Sequence, residues 1–166
     1  MRRILLVCIV IFFFFTTAWS QSENLQKQIN EQVWKPFIKS FNSDDQKAFK
    51  AVHSKDLARV IQDNNQVIGY KEYFRATPDS VKAKWGDWKK NIELRFIERI
   101  ADDGKAFEVG YYKTTNTNTA TGKSNAGYGK FHVLLRKEHG TWKILMDADA
   151  GEGVNEAIFL TGKSME

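Results

Sequence analysis

His53 and Asp56 stand three residues apart, a spacing that on a helical turn brings both to one side. A neutral imidazole oriented by a carboxylate is a serviceable general base. The same pair also reads as a helix end, with Asp56 bonding backbone donors and His53 at the surface. Asp147 and Asp149 alternate on one face of a strand and are followed by Gly151. Two acids in one cleft can be tuned apart until one holds its proton at neutral pH. As a calcium loop the run fails, because its twelfth position is Ile158 and not Glu. His53, Asp56, Asp147 and Asp149 are thus the catalytic candidates, and no metal site is expected.

Arg59 lies beside an Ile/Val pattern, where its planar fork could hold a carboxylate ligand. An ion pair with Asp56 or with an acid of the sheet is the competing role. His132 alternates with Phe131, Val133 and Leu135, so it shares a face with Tyr128, Lys130 and Arg136. Periodicity leaves open whether that face is inside or outside. Trp34, Phe37, Phe41, Tyr73 and Phe74 would wall a pocket if one exists, and otherwise fill a core. With Arg59 and His132 they complete the ligand-binding candidates. Gly122-Lys123-Ser124 imitates the end of a phosphate loop, but Thr117 stands where its first Gly belongs and no helix pattern follows. Zinc, nucleophile-elbow and dinucleotide signatures do not occur in the sequence, so no cofactor is implied.

The elements that must position these residues change period along the chain. Leu25, Ile29, Val33, Phe37 and Phe41 repeat every four residues, with Trp34 and Ile38 beside them, which predicts a helix over 23–42. Pro36 predicts a kink or break in it and biases Lys35 away from helical backbone. Asn42-Ser43-Asp44-Asp45 closes this helix and caps a short second one through Ala48, Phe49 and Val52. A strand over Leu57–Gln62 and an aromatic helical stretch at Tyr70, Tyr73 and Phe74 follow. Thr77-Pro78 marks another helix start, with Val81, Trp85 and Trp88 as its buried side. From Asn91 the period is two, predicting strands at 92–101, 105–115, 126–138 and 141–150. Asp103-Gly104 and His139-Gly140 make hairpin turns, and Thr115–Asn125 reads as a mobile polar loop. Helices followed by a meander of long strands predict an α+β fold, with helices in the concave face of a curved, mainly antiparallel sheet.

Residues 1–20 carry the marks of a cleavable signal peptide: Met1-Arg2-Arg3, an apolar run from Ile4 to Phe15, and Ala18 and Ser20 before the expected cut. The run is short of the roughly 20 residues a bilayer-spanning helix needs. Export to the periplasm or the extracellular medium is therefore expected, with no membrane association after cleavage. The sequence carries a net charge of +5 and one cysteine, Cys8. Loss of residues 1–20 removes that cysteine, Arg2 and Arg3, leaving 21–166 as a single domain of charge +3. No nucleic-acid partner is expected from so small a charge without a dense basic stripe.

Several segments, in this order, resemble the nuclear transport factor 2-like superfamily of cone-shaped α+β barrels. They are Val33-Trp34-Lys35-Pro36-Phe37, Asp44-Asp45 with Phe49, His53-Ser54-Lys55-Asp56-Leu57 and Ile68-Gly69-Tyr70-Lys71-Glu72-Tyr73-Phe74. Tyr128–Leu135 and Gly140-Thr141-Trp142-Lys143-Ile144 look like the last hairpin of that family. The similarity covers about residues 24–150 and looks closest to the exported polyketide-cyclase-like members. It implies a pocket between helices and sheet, and a homodimer through the outer face of the sheet. The superfamily's functions are diverse, so the fold does not deliver one. Three readings follow: a domain binding a small, partly apolar ligand; an acid–base enzyme such as an isomerase, dehydratase or hydrolase; and a homodimeric interaction module.

Overall fold

The computed structural model describes residues 23–75 and 86–165. The signal-peptide reading of 1–20 and the helix start at Thr77-Pro78, with Val81 and Trp85, lie outside the described residues. Helix α1 runs from 23 to 42 without a break. Its residues Asn30–Trp34 form a π-helical turn, closed by the Lys35 N–H on the Asn30 carbonyl, and Lys35–Asn42 return to α geometry. Lys35 keeps helical dihedrals (φ −62°, ψ −48°), contrary to the expectation from Pro36. The widened turn accommodates the ring, since Pro36 falls at the first positions of the α segment that follows it. Asp45 caps α2 (Gln46–Ala51) by accepting from the Ala48 N–H at 2.9 Å.

Next come β1 (His53–Ile61), β2 (Gln66–Gly69) and the single turn α3 (Tyr70–Tyr73). The long strands are β3 (Trp88–Ala101), β4 (Lys105–Asn118), β5 (Ser124–Glu138) and β6 (Thr141–Ala150). Trp88 opens β3 and is exposed, so it is not the buried side of a helix. The expected polar loop 115–125 is mostly strand, because β4 and β5 stay paired out to Thr117 and Ser124. Its β-branched threonines suit extended backbone. His139 (φ 49°) and Gly140 (φ 82°) both take positive φ, which a two-residue hairpin turn requires. A C-terminal helix, α4 (Glu156–Thr161), capped by Asn155, and a short β7 (Lys163–Ser164) complete the chain.

Among the described residues the sheet has seven strands, ordered β2-β1-β6-β5-β4-β3-β7. All pairs are antiparallel except β1 with β6. Helix α1 lies in the concave face. Leu25, Ile29, Val33 and Trp34 meet Leu94, Phe96, Phe131, Leu135 and Ile144, all buried. Each such side chain contributes roughly 1.5–3 kcal/mol by leaving water. The fold is the α+β arrangement expected from the sequence.

Candidate functional site

The site begins with a bulge. On β6, Trp142 and Ile144 face inward and are fully buried. Strict alternation would then send Met146 and Ala148 inward as well. Instead Leu135 pairs with Ile144 while Leu134 pairs with Met146, so Leu145 is an extra residue on β6. One extra residue exchanges the faces of everything after it. Asp147 and Asp149 consequently pair with the inward residues Val133 and Phe131 and point into the cone. The parallel pairing of β1 sets Arg59 directly beside Asp147.

There Arg59, 8% exposed, is held on several sides. Its Nη2 donates to Asp149 Oδ2 at 2.6 Å, and Nη1 donates to the carbonyls of Asp147 and Val60, each at 3.0 Å. Asp147 Oδ2 lies 3.6 Å from Nε, which has no hydrogen-bond partner among the described residues. Tyr73 places its ring 5.4 Å from the guanidinium. Asp149 is thus committed to Arg59, whereas Asp147 is near the cation without a direct bond. Burial, helped by the charge of Asp149, pushes Asp147 up to about 6 against the pull of Arg59. Tyr73 and Tyr112 are pushed up to about 12, chiefly by burial and then by these acids, so both stay protonated donors at neutral pH. Tyr112 lies across Gly129, its register partner, where any Cβ would strike its ring.

These groups border a cavity of about 300 Å³. Trp34, Phe37, Phe41 and Phe49 form its aromatic wall, Leu94 and Phe131 line the sheet side, and Arg59, Asp147, Asp149, Tyr73 and Tyr112 form its polar end. The arrangement can bind an apolar body by burial while a hydrogen-bonding group meets Asp147 and the tyrosines. It can also move a proton, since a carboxylate near 6 is ionised in about half to nine-tenths of molecules between pH 6 and 7.

No protein-family profile and no curated protein sequence matches the chain. Solved structures do. A nuclear transport factor 2-like superfamily protein from Salmonella enterica serovar Typhimurium aligns with TM-score 0.60 and 14% identity, over 81% of this chain and 97% of its own. The fold is that of the nuclear transport factor 2-like superfamily. Aln2 from a Streptomyces species aligns with TM-score 0.64 at 14% identity, covering 78% and 91%. A ketosteroid isomerase-like protein from Erwinia carotovora atroseptica gives TM-score 0.54 at 17% identity, covering 76% and 98%. Within this fold, the candidate residues of the sequence divide into two groups.

Asp147, Asp149, Arg59, Tyr73, Trp34, Phe37 and Phe41 converge on the cavity. His53, Asp56, Phe74 and His132 do not line it. His53 and Asp56 belong to a strand, not to a helical turn, so the geometry that would pair them is absent. Asp56 is exposed and accepts from Arg136 Nη2 at 2.7 Å. His53 is buried among Phe37, Phe49, Tyr73 and Phe74, with ring centroids 5.0–6.2 Å away. Its Nδ1 faces the Phe49 carbonyl at 2.8 Å, and a carbonyl only accepts, so Nδ1 carries the proton. Burial, with help from Arg59 and Lys143, holds its pKa down to about 4 despite that bond, so the ring is neutral. Phe74 packs on His53 from behind the wall. His132 faces outward, because Phe131, Val133 and Leu135 are the buried set, and it stacks on Phe107 at 6.4 Å.

Tyr112, Phe49 and Thr114 also line the cavity, although the sequence marks none of them as a site candidate. Tyr112 and Thr114 share the inward phase of β4 with buried Ala106, a signal the alternation did carry. A second inward cluster sits on Glu108, which is fully buried. Trp34 Nε1 donates to its Oε2 at 2.5 Å and Arg99 Nε to its Oε1 at 3.0 Å, while Arg99 Nη2 donates to Asn30 Oδ1 at 2.6 Å. Burial raises Glu108 against the pull of Arg99 and Trp34.

Proposed function

We propose that the protein binds a small, partly apolar molecule in the cone, its apolar body on Trp34, Phe37 and Phe41 and its polar end at Asp147. The observation that carries this reading is one cavity with an aromatic wall and a buried Arg59–Asp147–Asp149 end. Native mass spectrometry and calorimetry of the purified protein against fractionated small-molecule extracts test it. A bound species of fixed mass is expected, and widening the aromatic wall with Phe37→Ala weakens its retention by about ten-fold or more. Failure of every fraction to bind would remove the reading.

A second reading is acid–base chemistry on the bound molecule, favoured by Asp147 being lifted to about 6. In it Asp147 takes a proton from the ligand while Tyr73 or Tyr112 donates to the oxygen on which charge develops. The ketosteroid isomerase-like neighbour supports this through fold alone. Exchange of a carbon-bound ligand proton for deuterium should rise as pH passes through about 6, because the base must be ionised. Asp147→Asn should abolish exchange while leaving the ligand bound. Export remains part of the proposal, resting on residues 1–20, with N-terminal sequencing of the secreted or periplasmic protein as its check. A homodimer through the sheet's outer face, where Phe107 and His132 stack, is tested by sedimentation equilibrium.

A further inference from the structure

On the other side of His53 from the aromatic wall lies an open groove of about 670 Å³, built by α2, β1, α3, β6 and the end of β5. Lys47, Lys50, Lys55 and Lys143 all line it. Among the described residues none of the four forms an ion pair. The acid in the groove, Glu138, is held by Arg136 Nη2 at 2.6 Å. Lys55 donates to the Tyr70 hydroxyl oxygen at 2.8 Å, which leaves the phenolic proton of Tyr70 free to donate elsewhere. Lys143 is anchored on the Ala51 carbonyl at 2.5 Å. His53 also lines this groove; it is 3% exposed, and its Nε2 is an acceptor with no partner among the described residues.

Four cations in one concavity repel one another, and a concave wall concentrates their potential. An anion that enters relieves the repulsion and meets ammonium donors, one of them already beside the Tyr70 phenol. We infer that this groove is a second binding site, for a small polyanion bearing phosphate or several carboxylates. The lysines supply the charge, Tyr70 donates a hydrogen bond, and His53 accepts one from a hydroxyl or an acid proton of the ligand. This site is independent of the cone, although His53 contacts Phe37, Phe49 and Tyr73 of its wall.

Calorimetric titration of the purified protein at low ionic strength with inorganic pyrophosphate, and separately with citrate, tests the inference. Saturable one-to-one binding of at least one of them is expected, weakening as salt rises. Lys50→Gln and Lys55→Gln should each weaken it by roughly three- to ten-fold, the scale of one partly screened charge contact. Lys123→Gln, in the distant turn between β4 and β5, should leave it unchanged. Asp147→Asn should also leave it unchanged, which separates this site from the cone. No saturable binding of either anion overturns the inference, and so does equal weakening by Lys123→Gln, which marks general surface charge. Sedimentation with vesicles containing anionic lipid, in the absence of binding to both soluble anions, would replace a small ligand by a membrane surface.

Discussion

Two arginine–carboxylate clusters occupy the concave face of the same sheet, and they differ in what they leave unsatisfied. At Glu108 both carboxylate oxygens are bonded, one by Trp34 and one by Arg99, and Arg99 turns its other end to Asn30. Neither oxygen of Glu108 is left without a donor. At Arg59 the partner Asp149 is bonded at 2.6 Å, but Asp147 is displaced to 3.6 Å and the Nε donor has no hydrogen-bond partner among the described residues. That cluster borders the cavity, whereas Glu108 does not. Identical ingredients thus make a closed joint in one place and a receptive surface in the other. Completeness of hydrogen bonding, more than burial, separates them.

Glu108→Gln replaces one acceptor by an amide donor, so either Trp34 Nε1–H or an Arg99 N–H faces another donor. The Arg99 charge also loses its counter-ion, a change that costs about 3 kcal/mol or more for a buried pair. Urea unfolding followed by Trp fluorescence should record that loss. Trp34→Phe keeps most of the ring but orphans one oxygen, and about 1–3 kcal/mol of destabilisation is expected. If Glu108→Gln unfolds at the same urea concentration as the native protein, the closed joint carries no structural load and the contrast fails.

The sequence explains much of this scaffold and little of the contrast within it. The four-residue repeat of α1, the period-two strands and the Asp103-Gly104 turn are local signals, and they recur in the structure because helix and hairpin geometry are local. The aromatic wall follows from them, since Trp34, Phe37 and Phe41 share one face of α1. His53 was misplaced because the chain leaves α2 at Val52 and enters β1 at once, a boundary no Gly or Pro marks. The orientation of Asp147 and Asp149 hinged on the extra residue at Leu145, again unmarked by composition. Counting in steps of two from Trp142 would have turned both acids outward. Their meeting with Arg59 depends on the parallel pairing of β1 and β6, strands some 90 residues apart, which no periodicity reports. Glu108 stood unremarked in a strand where buried charge is the exception. Its partners come from two other elements.

The cavity cluster should respond with the opposite sign and a smaller size. Asp147 has a folded-state pKa raised from 3.8 to about 6, so the folded protein holds a proton there that the unfolded chain has released. Stability from this group is complete below about pH 4 and is lost as pH rises toward 6. Asp147→Asn removes the unfavourable buried charge, while Arg59 keeps Asp149 and two backbone carbonyls. A gain of about 1 kcal/mol at pH 7 is expected, since the amide carries no charge for burial to penalise. His53 acts in nearly the same window with the reverse sign. Its pKa is lowered to about 4, so its contribution is present above pH 6.5 and is lost as pH falls toward 4. In the native protein the two slopes oppose each other, and stability should vary little between pH 4 and 6.5 on their account. In Asp147→Asn only the His53 slope remains, and stability should climb with pH across that interval. Urea midpoints at pH 4, 5, 6 and 7 for both proteins would expose the difference. A loss of stability in Asp147→Asn matching that of Glu108→Gln would mean both clusters are closed joints, and the polar end of the cavity would then be scaffold alone.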